Sequence, residues 1–272
     1  MILWIASYPK SGNTWVRSLI SSYLFSKNGS FDFNLLNEIP RFPADKQFAP
    51  LINLQDLLKD PLEITKYWHA AQLRLNLDNR IKFLKTHNAC VSYKGRWFTD
   101  EKNTAGYIYI VRDPRSIACS NAKHSNISLE KAVFSLLNEN EIGYNGKYKL
   151  AETPGSWKIN YLSWKKKKKF DGIIIKYEDL IDNAEKEFTK ILTYVKKKMN
   201  IKIDKKKIIK SVDSCQFFKL KEMEDKHGFK EATHSKFFRI GKKDSWIKEL
   251  SHDLRTEIEV NFKNEMKELG YL

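Results

Sequence analysis

Cysteine is scarce in this sequence: Cys90, Cys119 and Cys215 lie far apart and show no CxxC spacing. That pattern excludes a disulfide framework and a cysteine-based zinc site, and it suits a reducing compartment. No run of about 18 apolar residues occurs, so no membrane span is expected. An apolar run begins at residue 2, which leaves no room for the basic n-region and cleavage site of a signal peptide. The expectation is a cytoplasmic protein. No cluster of His, Cys, Asp or Glu has the spacing of a metal site, and no internal repeat is visible. Also missing are aromatics interleaved with basic residues, the usual mark of a nucleic-acid surface.

Positive charge, in contrast, is abundant. The 272 residues include 49 Lys and Arg against 33 Asp and Glu, a formal net charge of +16. Much of it sits in lysine clusters, such as 165–169 and 205–207, that read as solvated surface. A charge of this sign is also compatible with an anionic substrate or with nucleic acid. A hydrophobic content of 42% is that of a globular chain, long enough to bury a sizeable core.

Four runs read as strands: one from Ile2 that stops at Tyr8-Pro9, then 81–87, 106–111 and 172–177. Helical spacing is found over 15–25, 63–77, 114–124, 129–144, 156–168, 178–199, 204–224 and 253–269. Asp113 is placed as an N-cap with Pro114 as first helical residue. Residues 30–66 are punctuated by Pro40, Pro43, Pro50 and Pro61 and read as long loops and short helices, while 225–245 reads as an exposed loop. Strands alternate with helices, the strands are continuous apolar runs, and none pairs with the next through a hairpin turn. This predicts one α/β domain over 1–272, with a central parallel sheet flanked by helices on both faces.

Such sheets bind ligands beyond the carboxyl ends of their strands. Here those ends carry Lys10-Ser11-Gly12, then Lys85 and His87, then Arg112, then Tyr177. The first end runs straight into a helix, whose outward N–H groups carry partial positive charge and attract phosphate or sulfate. Lys10 adds a full charge, and Ser11 and Thr14 add hydroxyl donors. Together the four ends describe a site for a multiply charged anion.

The residues themselves carry a resemblance. Tyr8-Pro9-Lys10-Ser11-Gly12-Asn13-Thr14-Trp15 closely resembles the phosphosulfate-binding loop of the sulfotransferases that use 3′-phosphoadenosine 5′-phosphosulfate (PAPS), in the Asn-Thr form common among bacterial members. Phe83-Leu84-Lys85-Thr86-His87 resembles the strand end that bears the family's catalytic histidine. Val111-Arg112-Asp113-Pro114-Arg115 with Ser120 is similar to the 3′-phosphate motif, and Lys176-Tyr177-Glu178-Asp179 to a further segment. Phe237-Phe238-Arg239-Ile240-Gly241 with Trp246 resembles the late loop that closes over the nucleotide. That loop departs from the usual pattern, since a lysine has become Ile240 and a glycine before the Asp-Trp pair is lost.

The resemblance implies a P-loop-nucleotidase-like fold and transfer of a sulfonate from PAPS to a hydroxyl, less often an amine, with PAP as product and no metal. It places the 5′ end of the donor on Lys10, Ser11, Gly12, Asn13 and Thr14. It places the 3′-phosphate on Arg112, Ser120, Arg239 and amides near Gly241, with Tyr177 and Phe238 also at the nucleotide. Trp15 and Phe217 would contact adenine. His87 would be the general base, Lys10 and Lys85 would stabilise the leaving phosphate, and Ser120 would restrain the lysine until the acceptor arrives. The acceptor would be a small molecule, glycan or lipid held by residues from 30–75, 135–155 and 225–240. Phe31, Phe33, Phe42, Phe48, Tyr144 and Tyr148 are its candidate aromatic contacts, or simply pack. No nucleic-acid partner is implied, and a homodimer is one oligomeric option. Two rival classes stand beside this reading. A P-loop kinase or nucleotidase would place lysine after the second glycine of Gly-x-x-x-x-Gly-Lys, whereas Lys10 precedes Gly12. A non-catalytic nucleic-acid-binding protein would rest on the net charge alone.

Overall fold

All six residues of Ile2–Ser7 are buried, and their side chains alternate between two cores. Ile2, Trp4 and Ala6 enter one with Tyr107, Tyr109, Trp157 and Trp164. Leu3 and Ile5 enter the other with Val16, Leu19, Ile20, Phe188 and Ile191. The alternation is the period-two geometry of a strand, and burial on both faces explains the continuous apolar run. The structure is a computed structural model, which describes residues 1–272 except 168, 233–235, 239, 240 and 242.

In chain order the elements are β1 (Ile2–Ser7), α1 (Asn13–Phe25), short helical turns with α2 (Asp45–Phe48), α3 (Trp68–Leu75) and β2 (Lys82–Thr86). The hairpin β3 (Ser92–Tyr93) and β4 (Arg96–Trp97) precedes β5 (Thr104–Val111), α4 (Pro114–Ser125) and α5 (Leu129–Leu137). A second hairpin, β6 (Gly143–Asn145) and β7 (Leu150–Glu152), leads to α6 (Trp157–Lys165) and β8 (Gly172–Lys176). The chain ends with α7 (Tyr177–Asp182), α8 (Ala184–Lys198), α9 (Lys205–Ser214), α10 (Phe217–His227), α11 (His252–Asn261) and α12 (Lys263–Glu268). Among the described residues β2, β1, β5 and β8 form, in that order, a parallel sheet flanked by helices, as predicted. The four predicted strands are its four members.

Asp113 caps α4 through the amide of Arg115, with Pro114 in the first turn, as the sequence reading expects. Other boundaries differ for local reasons. The helix expected over 129–144 stops at Leu137, because the Asn138 side chain accepts from the Asn140 amide and offers the backbone an alternative to the helix. The helix expected over 204–224 breaks at Cys215, whose carbonyl accepts from the Trp15 indole at 2.9 Å. The one expected over 253–269 breaks at the buried Phe262, and 63–77 begins as a 3₁₀ turn before α3. The two hairpins, absent from the expectation, are two or three residues per strand, too short for a pattern to show.

Nor is 225–245 simply an exposed loop. Phe238 is buried, stacks with Phe33 at 6.0 Å and meets Phe217 and Phe229 edge-on or tilted. Among the described residues no helix is long and apolar enough to cross a membrane.

Candidate active site

The four strand ends open onto one cavity of about 300 Å³. Lys10, Gly12, Asn13, Thr14, Trp15, Lys85, His87, Arg112, Ser120, Tyr177, Phe217, Phe238 and Gly241 all line it. Ser11 is placed differently: it is fully buried, it does not line the cavity, and its hydroxyl has no hydrogen-bond partner among the described residues. Arg239 lies outside the described residues.

The turn at the head of α1 is held in a conformation few residues accept. Gly12, its N-cap, has φ 96°, and Lys10 has φ 66°, in the left-handed region that costs a side-chain-bearing residue of order 1–3 kcal/mol. A Cβ on Gly12 would lie 2.4 Å from the Tyr177 ring, so glycine is required both by backbone and by space. Asn13 Nδ2 donates to the Ile5 carbonyl and to Ser7 Oγ, at 3.0 and 3.2 Å, and pins the turn to the end of β1. Arg112, at the end of β5, donates from Nη1 to the Lys10 carbonyl at 3.1 Å, and its guanidinium lies 4.4 Å from the centre of the Tyr177 ring. Lys10 Nζ lies 4.3 Å from the centre of the Phe237 ring.

His87 is buried, and its Nδ1 lies 2.8 Å from the Ser7 carbonyl. A carbonyl only accepts, so Nδ1 carries the hydrogen and Nε2 is left with a lone pair. Burial, then the charges of Lys85 and Arg41, hold the imidazole well below its usual value, so it is neutral near pH 7. Burial also lowers Lys85, to about 8, against the opposing charge of Glu231.

Motif reading missed four charged residues here. Arg17 lies one turn beyond Thr14 on α1; Nη2 donates to the carbonyls of Leu36 and Ile39, and Nη1 to Glu231 at 2.6 Å. Glu231 also accepts from Thr14 Oγ1 at 3.0 Å and Lys85 Nζ at 3.4 Å. Burial pushes its carboxyl up, but Lys85 and Arg17 outweigh that and hold it well below the usual carboxylate range. Arg41 and Glu152 complete the wall near His87. Only Arg17 had a sequence signal, its i+3 spacing from Thr14 on the helix face of the turn.

Some motif residues do other work. Arg115 chelates Asp113, bonds Glu259 and the Tyr271 carbonyl, and lies under the Trp246 ring at 3.9 Å. Neither Arg115 nor Trp246 lines the cavity. Ser116 and His124, on the α4 face that carries Ser120, do line it. Among the described residues no group of three or more His, Cys, Asp or Glu is placed to hold a metal ion.

A parallel sheet with a glycine turn feeding a helix, and cations at successive strand ends, defines an α/β enzyme of the P-loop type that handles an anionic group. The particular family follows from comparison: the sulfotransferase domain matches residues 2–270, and the chain belongs to the sulfotransferase family. Among solved structures it is similar to mouse sulfotransferase SULT7A1 complexed with PAP, at 20% identity and a TM-score of 0.61, covering 98% of this chain and 84% of that one. It is also similar to retinol dehydratase in complex with androsterone and the inactive cofactor PAP, at 18% identity and a TM-score of 0.61, covering 98% and 80%. The retinol dehydratase complex with retinol and PAP gives 17% identity and a TM-score of 0.63, covering 98% and 81%. No curated protein matches the sequence.

Gly12→Ala is expected to lower the free energy of unfolding by at least about 1–3 kcal/mol, read by urea denaturation. Adding Tyr177→Ala should restore part of that loss by making room for the new methyl group. Losses that simply add would show that Tyr177 does not press on the turn.

Proposed function

We propose that this sulfotransferase draws its sulfonate from PAPS and delivers it to an acceptor hydroxyl, with His87 as general base, in one domain spanning the chain. The observation that carries the reading is the convergence of Lys10, Lys85, His87, Arg112 and Tyr177, from four strand ends, on a single cavity. The residues suit such a donor. The α1 N-terminus offers amides beside Lys10 and Thr14, the Arg112 fork suits a phosphate, and Trp15 and Phe217 offer aromatic faces for a base. Ser11 would contribute its backbone amide.

Within this reading the acceptor oxygen loses its proton to His87 Nε2 and bonds to sulfur, while the bond from sulfur to the bridging phosphate oxygen breaks and leaves its electron pair on phosphate. Ser7 fixes the imidazole tautomer, so the base is oriented before any ligand arrives. Lys10 and Lys85 supply positive charge where negative charge develops. Ser120, on the α4 face, restrains the lysine. The Glu231 carboxylate occupies Thr14 and Lys85, so donor binding displaces it from these two groups and leaves it with Arg17. Arg112, Ser120, Arg239 and the amides near Gly241 hold the second phosphate, with Phe238 closing the aromatic wall.

His87→Ala is expected to lower kcat by about 10²–10⁴-fold while PAP affinity stays within about twofold. Arg112→Ala should weaken PAP binding by about tenfold or more. Normal turnover by His87→Ala would show that the base is another group.

The pH profile gives an independent check. Since His87 sits well below 6.5 and Lys85 near 8, kcat/KM should be level around neutrality and fall as pH rises through about 8, where the Lys85 cation is lost. A bound sulfonate stabilises that cation, so the same limb in kcat should move upward. A kcat/KM that keeps rising through about pH 9 would remove Lys85 from the chemistry.

A further inference from the structure

The part of the cavity beside His87 is walled by charge. Arg41, Lys85, Glu152 and Glu231 line it, whereas Trp15, Phe217 and Phe238 sit with Tyr177 and Gly241. Each segment expected to supply an acceptor pocket contributes one of these charges: Arg41, Glu152 and Glu231. The aromatics nominated from those segments do not line this cavity. Phe31, Phe42 and Phe48 are core residues, and Tyr144 is exposed.

Glu152 and His87 belong to one rigid frame. Thr153 donates from its amide and hydroxyl to Asn88 Oδ1, at 2.8 and 3.1 Å, and its carbonyl accepts from the Ala89 amide. Asn160 donates to the carbonyls of His87 and Pro154, each at 2.9 Å. Arg41 is fixed from the other side. It forms a parallel bridge with Lys85, and the Phe42 amide donates to the Lys85 carbonyl at 2.7 Å. The two side chains meet beside the base. The Glu152 side chain is 8% exposed, and its Oε1 lies 3.5 Å from Arg41 Nε yet accepts no hydrogen bond from the described residues. A buried carboxylate oxygen on a cavity wall, with an ion-pair neighbour but no hydrogen bond among the described residues, is a group suited to a ligand hydroxyl.

We propose, resting on the sulfotransferase reading above, that Arg41 and Glu152 form the acceptor subsite and that the acceptor is a polyhydroxylated, sugar-type molecule. A carboxylate accepts from two neighbouring hydroxyls, and a guanidinium donates to hydroxyl or ring oxygens, so the pair grips a diol while the next hydroxyl faces His87 Nε2. A flat apolar acceptor in the same place would strip water from Arg41, Lys85, Glu152 and Glu231 without replacing its hydrogen bonds. A second cavity of about 560 Å³ has Phe33, Leu36, Met223 and Phe229 on its wall among polar and charged neighbours such as Arg17 and Asp32, and neither His87 nor Lys85 lines it. Of the described residues Glu231 alone lines both.

The test is transfer from labelled PAPS to methyl glucoside, methyl N-acetylglucosaminide and methyl glucuronide, set against 4-nitrophenol and a sterol. Glycoside binding to the PAP complex and PAP binding itself are measured in parallel by calorimetry. The glycosides should bind the PAP complex and be sulfated, and the phenol and sterol should react at least about tenfold more slowly. Glu152→Gln and Arg41→Gln should each raise the glycoside KM by at least about tenfold and leave PAP affinity within about twofold. Glycosides that neither bind nor react, a phenol or sterol that outpaces all of them, or an unchanged KM in Glu152→Gln would overturn the proposal. In all of those cases PAP still binds; a wild-type protein that fails to bind PAP would instead strike the sulfotransferase reading beneath it.

Discussion

Arg112 ties together the ends of three adjacent strands. From the end of β5 it donates to the Lys10 carbonyl beyond β1 and lies against Tyr177 at the end of β8. The fourth end, at β2, is joined by the contact of His87 with Ser7. These links make the Lys10–Gly12 turn, His87 and the cations one construction. They also explain why the turn tolerates left-handed backbone at both Lys10 and Gly12. The strain is local, and contacts from the neighbouring strands hold it. Because Tyr177 fills the space beside Gly12, the turn and the β8 end cannot move independently.

The second constraint is charge in a buried place. Arg41, Lys85, Glu152 and Glu231 line the cavity with a histidine that is itself neutral, and Arg17 backs Glu231. Buried charges persist only when paired and hydrogen-bonded, and here the pairing is unequal. Arg17 has two carbonyls and a carboxylate, whereas Lys85 shares its carboxylate with Thr14 and Arg17. The consequence is a lysine with a lowered affinity for its proton, adjacent to an imidazole with the same tendency. Both are set by burial before any ligand contributes.

Much of this was readable in the sequence, for a physical reason. The sheet strands are buried on both faces and so appear as unbroken apolar runs, and their ends are marked by the first polar residues that follow. Lys10, Lys85, His87, Arg112 and Tyr177 could therefore be placed at one edge from the sequence alone. Arg41, Glu152 and Glu231 could not. Arg41 reaches the site through a single bridge to Lys85, Glu152 through a hairpin of three-residue strands, and Glu231 through a side-chain cluster that no local spacing announces. Ser11 differs in the opposite direction: it belongs to the motif, but its side chain is buried and does not line the cavity, a distinction between backbone and side-chain placement that a motif does not carry.

The central claim, that these strand ends form a site for a nucleotide with phosphates at both 5′ and 3′ positions, is tested most directly by calorimetric titration of the wild-type protein. PAP with a chelator present is set against ATP with magnesium. The account predicts saturable PAP binding at least about tenfold tighter than that of magnesium-ATP, since the grip proposed for Arg112 needs a 3′-phosphate, which only PAP has. Tighter binding of magnesium-ATP than of PAP would contradict it.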